Sequence, residues 1–455
     1  MLKRSSIFWK AVNSMADLYV KSLDMINPFV VASSPATQGA KNVLKSSKMR
    51  PGAITMRNFG HGSGGGSFFS PDASAAYKGL QCYHSHAVGR QVPDTVSTLE
   101  QYCEDVKKAR SELDPDIKLW VSVGHYSDIV KGGDWEKDWI RQARELSLAG
   151  ADALELHFNT PGVAVAKVRI FDYYELVRHC TTMIRQAAPA HVKVMVKLAV
   201  EGCDVLTSMR IAQASGADAV GPTARWKAFC MDLDWRRTQP RPGAGYGGTQ
   251  ANPIVCYAVA EGRNNGIHLP MYAGGGVFSF DQAARFIMAG SDCVQLGALA
   301  CSGGTMACKK VISDLSKWMD QAGYPYMDSL KGDALQLFNM PADFAKARQN
   351  ALGDAYQQWQ VDESKCIGCG RCVDVCWQEG IEIVDKKARK TDHCIGCGYC
   401  FQVCPPRHLM WMPEKSWRAP SRNRKEKRRE MIPETSSLVL DISLRYLYPV
   451  TRRMI

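Results

Sequence analysis

The sequence predicts an α/β chain: a (β/α)8 TIM barrel over residues 16–325, followed by a small α+β domain over residues 361–412. Three observations predict it. Short apolar runs alternate with stretches of helical length through the first part of the chain. A junction of Gly, a small residue and Asp recurs directly before several of those runs. Two back-to-back cysteine runs follow near the C-terminal end.

The candidate strands are Pro28–Ser33, Gly52–Met56, Lys118–Gly124, Ala151–His157, Val192–Leu198, Ala217–Pro222, Leu269–Ala273 and Ser291–Gly297. Eight β runs separated by helical segments suit a parallel barrel; a doubly wound sheet also alternates β and α, but eight such units favour closure. Gly150-Ala-Asp, Gly216-Ala-Asp and Gly290-Ser-Asp each read as a helix ended by a left-handed glycine and followed at once by a strand. Ser279-Phe-Asp-Gln282 reads as a capping box opening the helix before the last strand. Residues 1–15 form an N-terminal extension, 326–360 a helical connector, and 413–455 a basic tail.

The cysteine runs are Cys366-x2-Cys369-x2-Cys372-x3-Cys376 and Cys394-x2-Cys397-x2-Cys400-x3-Cys404-Pro405. This is the spacing that wraps thiolates around a cubane cluster, and in the two-cluster version the fourth Cys of each run ligates the other cluster. Cys366, Cys369, Cys372 and Cys404 are therefore expected to hold one [4Fe–4S] cluster, and Cys394, Cys397, Cys400 and Cys376 the second. Zinc favours paired C-x2-C separated by a long gap, and disulfides need an oxidising compartment. This segment reads as a bacterial-type two-cluster ferredoxin domain that moves electrons.

Bulk composition sets the remaining limits. The chain has 455 residues, 45% hydrophobic and 22% charged, as expected for a soluble globular protein. No apolar run approaches the ~20 residues of a membrane span. The first ten residues, Met1–Lys10, lack the apolar core of a secretory signal. The other nine of the 17 cysteines are scattered singly, as reduced cysteines usually are, so a cytoplasmic location is expected. The net charge of +12 is concentrated in part between Lys415 and Arg429, where eight Lys or Arg face one Glu.

Barrel enzymes place their sites at the C-terminal ends of the strands. Strand seven ends Tyr272-Ala273-Gly274-Gly275-Gly276 and strand eight ends Gln295-Leu296-Gly297-Ala298. Glycines there form a phosphate cradle from backbone N–H groups; a tight turn without a ligand is the plainer alternative. Lys197 ends the apolar run Val194-Met-Val-Lys197, where it either offsets charge on an electron-rich cofactor or sits on a solvated rim.

With these residues in view, the chain resembles the dihydroorotate dehydrogenase family of flavin barrels. With the cluster domain added, it is similar to the C-terminal half of the dihydropyrimidine dehydrogenases. The resemblance rests on Asn27-Pro-Phe-Val-Val-Ala-Ser33, Gly150-Ala-Asp-Ala-Leu-Glu-Leu156, Val196-Lys197-Leu198, Tyr246-Gly-Gly248, Ala273-Gly-Gly-Gly276 and the paired cysteine motifs. It implies FMN in the barrel, hydride exchange with an activated C=C bond, and two [4Fe–4S] clusters relaying electrons to or from a separate flavin site. By the same resemblance Ala32 and Ser33 lie against the flavin, Lys197 faces its N1/C2 edge, and Thr223 contacts it. Gly275, Gly276, Gly297 and Ala298 hold the phosphate.

Departures from the family bear on substrate. Where the family carries Asn-Leu-Ser-Cys-Pro, with Cys as acid/base, this chain has His157-Phe158-Asn159-Thr160-Pro161. Thr160 takes the acid/base position but is a poor proton donor, and His157 is the residue able to deliver a proton near neutral pH; a neutral His that only hydrogen-bonds flavin or substrate is the alternative. The family's substrate-binding Asn-Thr after strand six is Ala224-Arg225 here, followed by Trp226. The loop after strand two runs Cys82-Tyr83-His84-Ser85-His86-Ala-Val-Gly-Arg90, and a family Lys aligns with Met56 beside Arg57. These changes remove amide groups that read a pyrimidine and bring in Arg, His and Trp. A small non-pyrimidine substrate with a carboxylate that Arg225 grips bidentately is expected, although Arg225 could equally pair with a local acid. His84 and His86 have no third ligand in reach by sequence, so a metal there is not expected.

No G-x-G-x-x-G follows an early strand, so no dinucleotide domain is visible and an external redox protein is expected: a ferredoxin, a flavodoxin or an NAD(P)H-oxidising flavoprotein subunit. The basic stretch Lys415–Arg429 either docks such a partner or is a solvated tail. Aromatic residues do not interleave with it, so nucleic acid is not expected. A homodimer is expected by analogy alone. The leading reading is a reductase of an activated double bond; the competing one is an electron-transfer subunit with no small-molecule turnover of its own.

Overall fold

The computed structural model describes residues 16–57, 68–69, 80–84, 98–124, 129, 133–158, 170–200, 202–223, 226–228, 244–338, 360–405 and 409–410. Residues 1–15, most of the connector and the basic tail lie outside the described residues. The chain divides into two units, residues 1–342 and 343–455.

The first unit carries eight parallel strands, named here β1 (Phe29–Val31), β2 (Ala53–Met56), β3 (Lys118–Val123), β4 (Ala153–His157), β5 (Lys193–Lys197), β6 (Ala219–Gly221), β7 (Tyr272–Gly274) and β8 (Cys293–Leu296). Each pairs with its neighbour in chain order from β1 to β6, and β8 joins β7 to β1. A parallel bridge between Val220 and Met271 links β6 to β7, with the Val220 N–H donating to the Pro270 carbonyl at 2.9 Å. The sheet is thereby closed, and all eight expected strands are present, seven of them shortened within the expected bounds and the seventh shifted to Tyr272–Gly274, one residue past its expected end.

Strand register divides the residues between two faces. One face collects Val30, Thr55, Trp120, Ser122, Glu155, His157, Met195, Lys197, Tyr272 and Gln295. Trp120 on β3 packs edge-on against Tyr272 on β7 with ring centroids 5.5 Å apart. Those strands are not neighbours in the sheet, so this face is the barrel interior. The opposite face carries Phe29, Val31, Ile54, Leu119, Val121, Leu154, Leu156, Val194, Val196 and Val294, all fully buried. This period of two places aliphatic side chains under the helices and polar or aromatic ones in the lumen.

Helices follow the strands: α1 (Gly39–Ser47), α2 (Leu99–Glu112), α3 (Trp135–Leu148), α4 (Ile170–Ala187), α5 (Val205–Ala214), α6 (Asn252–Asn264), α7 (Phe280–Met288) and α8 (Gly304–Ala322). The expected capping box at Ser279 and Gln282 is formed at the start of α7.

The recurring Gly-Ala/Ser-Asp junction does more than end helices. Gly150, Gly216 and Gly290 all have positive φ. Each is pressed by the aliphatic stem of an arginine from an earlier helix: a Cβ on Gly150 would lie 2.8 Å from Arg110 Cγ, one on Gly216 3.2 Å from Arg185 Cγ, and one on Gly290 2.6 Å from Arg263 Cγ. The same arginines bond Asp152, Asp218 and Asp292 at 3.1, 2.7 and 2.6 Å. Each aspartate also accepts from a backbone N–H at the start of the preceding strand: Leu119, Val194 and Met271. Three junctions thus lock consecutive βα units together at the N-terminal end of the barrel, away from the site.

In the second unit Gln360–Val361 pairs with Leu409–Met410, and Ile381–Val384 pairs with Lys387–Lys390 as a hairpin. Two short helices, Arg371–Asp374 and Tyr399–Val403, each carry one cysteine of a run. Among the described residues no helix is long and apolar enough to cross a membrane.

Candidate functional site

The C-terminal ends of the strands bring the expected flavin residues together. Ala32 is buried after β1, and its N–H donates to the Leu296 carbonyl of β8 at 3.0 Å. This sets Ala32 beside Gly297, where an added Cβ would meet only the Ala32 Cβ, at 3.8 Å. Gly297 leads into the short helix Ala298–Ser302. Ser33 accepts from the Ser122 hydroxyl at 3.3 Å. Thr223, after β6, donates its hydroxyl to the Gly274 carbonyl at 3.1 Å and so fixes the start of the triple-glycine loop. Gly276 has φ +79°, and a Cβ there would fall 2.1 Å from the Gly248 carbonyl oxygen. Glycine is needed at Gly276 for both its backbone angle and this close approach. The open space at Gly297, the positive-φ glycines Gly275 and Gly276, and a buried cation at another strand end suit an anionic cofactor with an electron-rich ring.

That cation is Lys197, 7% exposed at the end of β5. His157 is half-buried and stands beside it in register on β4. Below them lies Glu155, fully buried, which accepts from Gln295 Nε2 at 3.3 Å through one carboxylate oxygen. Among the described residues its other oxygen, the Thr55 hydroxyl and the Gln295 amide oxygen are buried without a hydrogen-bond partner. Burial pushes the Glu155 carboxyl above the usual carboxylate range, against the opposing pull of the Lys197 charge and the Gln295 bond. The sequence reading gave Glu155 no role. Its trace was a polar residue alternating with Leu154 and Leu156 in an otherwise apolar run.

Of the remaining expected residues, Thr160 and Arg225 lie outside the described residues, as do His86 and Arg90. Met56 is fully buried on the outward face of β2. Arg57 beside it donates to the Gln38 side chain at 3.4 Å.

The loops after β2 and β6 meet in one antiparallel sheet. Leu80–His84 pairs with Ala244–Gly248, which in turn pairs with Trp226–Ala228; Phe68–Phe69 pairs with the first of these. Tyr246 lies opposite both Cys82 and Trp226. Trp226, half-buried, packs on the barrel core. The described parts of the two departing segments, Cys82–His84 and Trp226, therefore belong to one sheet.

In the second unit a cavity is lined by Cys376, Cys394, Cys397 and Cys400 together with Trp377, Ile381, Ile395 and Tyr399. These four thiols are the set in which the fourth cysteine of the first run joins the first three of the second. Backbone N–H groups point at sulfur: Gly380 to Cys376 at 3.1 Å, Gly396 to Cys394 at 3.4 Å and Ala388 to Cys366 at 3.4 Å. Burial raises the Cys400 thiol to about 11, so iron must displace a proton there. Four thiols around one cavity, drawn from two C-x2-C-x2-C-x3-C runs, are the donors a cubane takes. The donor set fits clusters.

Comparison with known proteins agrees. Residues 88–319 match the family described as dihydroorotate dehydrogenase, and residues 359–412 match the 4Fe-4S dicluster domain. The chain belongs to the dihydroorotate dehydrogenase family. Dihydroorotate dehydrogenase A (fumarate) of Lactobacillus helveticus is 26% identical over 233 residues, covering 50% of this chain and 71% of that protein. Subunit PreA of the NAD-dependent dihydropyrimidine dehydrogenase of Escherichia coli K12 is 23% identical over 382 residues, covering 81% of this chain and 87% of that protein. The catalytic subunit of dihydroorotate dehydrogenase B (NAD(+)) of Listeria innocua is 25% identical over 205 residues, 45% of this chain and 66% of that protein. This family member is a flavin and iron–sulfur oxidoreductase acting on CH–CH groups, with a TIM barrel and a 4Fe–4S ferredoxin domain.

Proposed function

We propose that this family member reduces the activated C=C bond of a small, carboxylated, non-pyrimidine substrate, using one FMN and two [4Fe–4S] clusters supplied with electrons by an external redox protein. The observation that carries the reading is the buried Lys197 at the same end of the barrel as the open Ala32–Gly297 cradle, in a chain that also carries a four-thiol cavity.

When bound, FMN supplies hydride transfer and the clusters supply one-electron relay. Ala32, Ser33 and Thr223 would hold its ring, Lys197 would face the N1/C2 edge and offset its charge, and Gly275, Gly276, Gly297 and Ala298 would hold the phosphate. His157, beside Lys197 in register, holds the proton for the carbon that does not receive hydride, with Thr160 as its neighbour in the loop. Arg225 binds the substrate carboxylate. The clusters are held crosswise, by Cys366, Cys369, Cys372 and Cys404 and by Cys394, Cys397, Cys400 and Cys376. Scattered single cysteines support a cytoplasmic setting. The electron donor is a ferredoxin, a flavodoxin or an NAD(P)H-oxidising flavoprotein subunit; similarity to a subunit of an NAD-dependent dihydropyrimidine dehydrogenase favours the last.

Thr160 in place of an acid/base Cys favours a second reading, an electron-transfer subunit without turnover of its own. H157A and R225A separate the two. On the first reading both variants keep flavin and clusters but lose turnover of the substrate that reoxidises the flavin. On the second, no small molecule reoxidises the flavin of the unaltered protein, and electron transfer to an artificial acceptor survives both changes.

A further inference from the structure

Three charged side chains are buried among the described residues: Asp292, Glu155 and Lys197. Asp292 is met by Arg263 at 2.6 Å and Lys331 at 2.5 Å. Glu155 and Lys197 lie on adjacent strands and on the same inward face, two register positions apart: Glu155 pairs with Met195 and His157 with Lys197. A buried charge costs several kcal/mol unless an opposite charge faces it, and the Lys197 charge pulls against the burial that raises the Glu155 carboxyl.

We propose that Glu155 is a positioning residue for the flavin edge that acts through Lys197. When ionised, its carboxylate offsets part of the Lys197 charge and disfavours the more negative, reduced flavin; when protonated, it withdraws that offset and favours reduction. The potential of the bound flavin then carries a pH dependence written by Glu155. This rests on the flavin reading above. Among the described residues the groups facing Glu155 are Lys197 from β5, His157 from β4, Gln295 from β8, Tyr272 from β7 and Ser122 from β3. Tyr102 of α2 is also close, its hydroxyl 3.3 Å from the Met56 and Ser122 carbonyls. Burial holds the Tyr272 and Tyr102 hydroxyls neutral, so among the described residues Glu155, Lys197 and His157 are the groups able to change or carry charge there.

The test is the midpoint potential of FMN in the full-length holoprotein, measured by anaerobic dye equilibration across pH 6–9.5, for the unaltered protein, E155Q and Q295L. At low pH, E155Q matches the unaltered protein. At high pH it lies above it by about tenfold in the ratio of reduced to oxidised flavin, about 30 mV for a two-electron couple. Q295L, which removes the donor that favours the ionised carboxyl, moves the inflection upward by up to about one pH unit. H157A retains the inflection, which distinguishes it from a histidine titration. Curves for the unaltered protein and E155Q that coincide or run parallel at every pH, with FMN bound to both, overturn the proposal and leave the flavin reading intact. Unaltered protein that binds no FMN overturns both.

Discussion

Gln295 on β8 donates to Glu155 on β4 across the full width of the barrel, 3.3 Å from Nε2 to Oε2. The bond lies under the strand ends where Lys197 and His157 stand side by side, so the floor of the site is polar where most barrel interiors are aliphatic. Its first consequence is a stability that depends on pH. Glu155 has a raised carboxyl pKa in the fold, so its contribution is fully present below the ordinary glutamate value of 4.5 and is lost as pH rises through the folded value. E155Q removes that loss. The melting temperature of E155Q relative to the unaltered protein therefore increases with pH, by about 2 °C per unit of pKa difference. Thermal melts at matched pH check it; a constant offset from pH 4 to 9 contradicts it.

The arginine stems behind the junction glycines set a steric rule. Gly290 has φ +111° and its added Cβ would lie 2.6 Å from Arg263 Cγ. Gly266 has φ +82° and nothing within 4 Å. G266A costs backbone strain alone, about 1 kcal/mol, whereas G290A adds the clash and costs about 2–4 kcal/mol. Denaturant melts of the two variants compare the costs directly.

Asp292 answers two cations while only 3% exposed. D292N leaves Arg263 buried without its counter-charge and costs about 3–5 kcal/mol. Replacing the exposed partner in K137Q, whose bond to Asp134 lies in solvent, changes stability by less than about 0.5 kcal/mol.

The crossed cluster assignment makes a prediction about iron. C376S removes a ligand from the site that contains Cys394, Cys397 and Cys400, not from the run it belongs to in sequence. C376S and C394S therefore lose the same cluster and give the same residual electron paramagnetic resonance spectrum after reduction. C404S leaves the other one. Identical spectra for C376S and C366S contradict the crossing.

The sequence carried the barrel because each strand is a short apolar run behind a glycine stop, and the cysteine spacing carried the cluster unit. The site was legible where chemistry is local in sequence: Lys197 at a strand end, glycines after β7 and β8, cysteines in two runs. It was not legible where a partner comes from far along the chain. Gln295 and Glu155 are 140 positions apart, and Arg263 meets Asp292 only after helix α7 intervenes. The meeting of Leu80–His84 with Ala244–Gly248 likewise depends on closure of the barrel, which brings loops after non-adjacent strands to one end.

The most direct test of the account is anaerobic purification of the full chain, with flavin, iron and acid-labile sulfide quantified, followed by chemical reduction and a screen for reoxidation of the flavin. Unsaturated carboxylic acids, enones and pyrimidines form the panel. The account predicts about one FMN and about eight irons per chain, with reoxidation by an unsaturated acid and not by uracil or orotate. Protein that carries about eight irons but no FMN contradicts it.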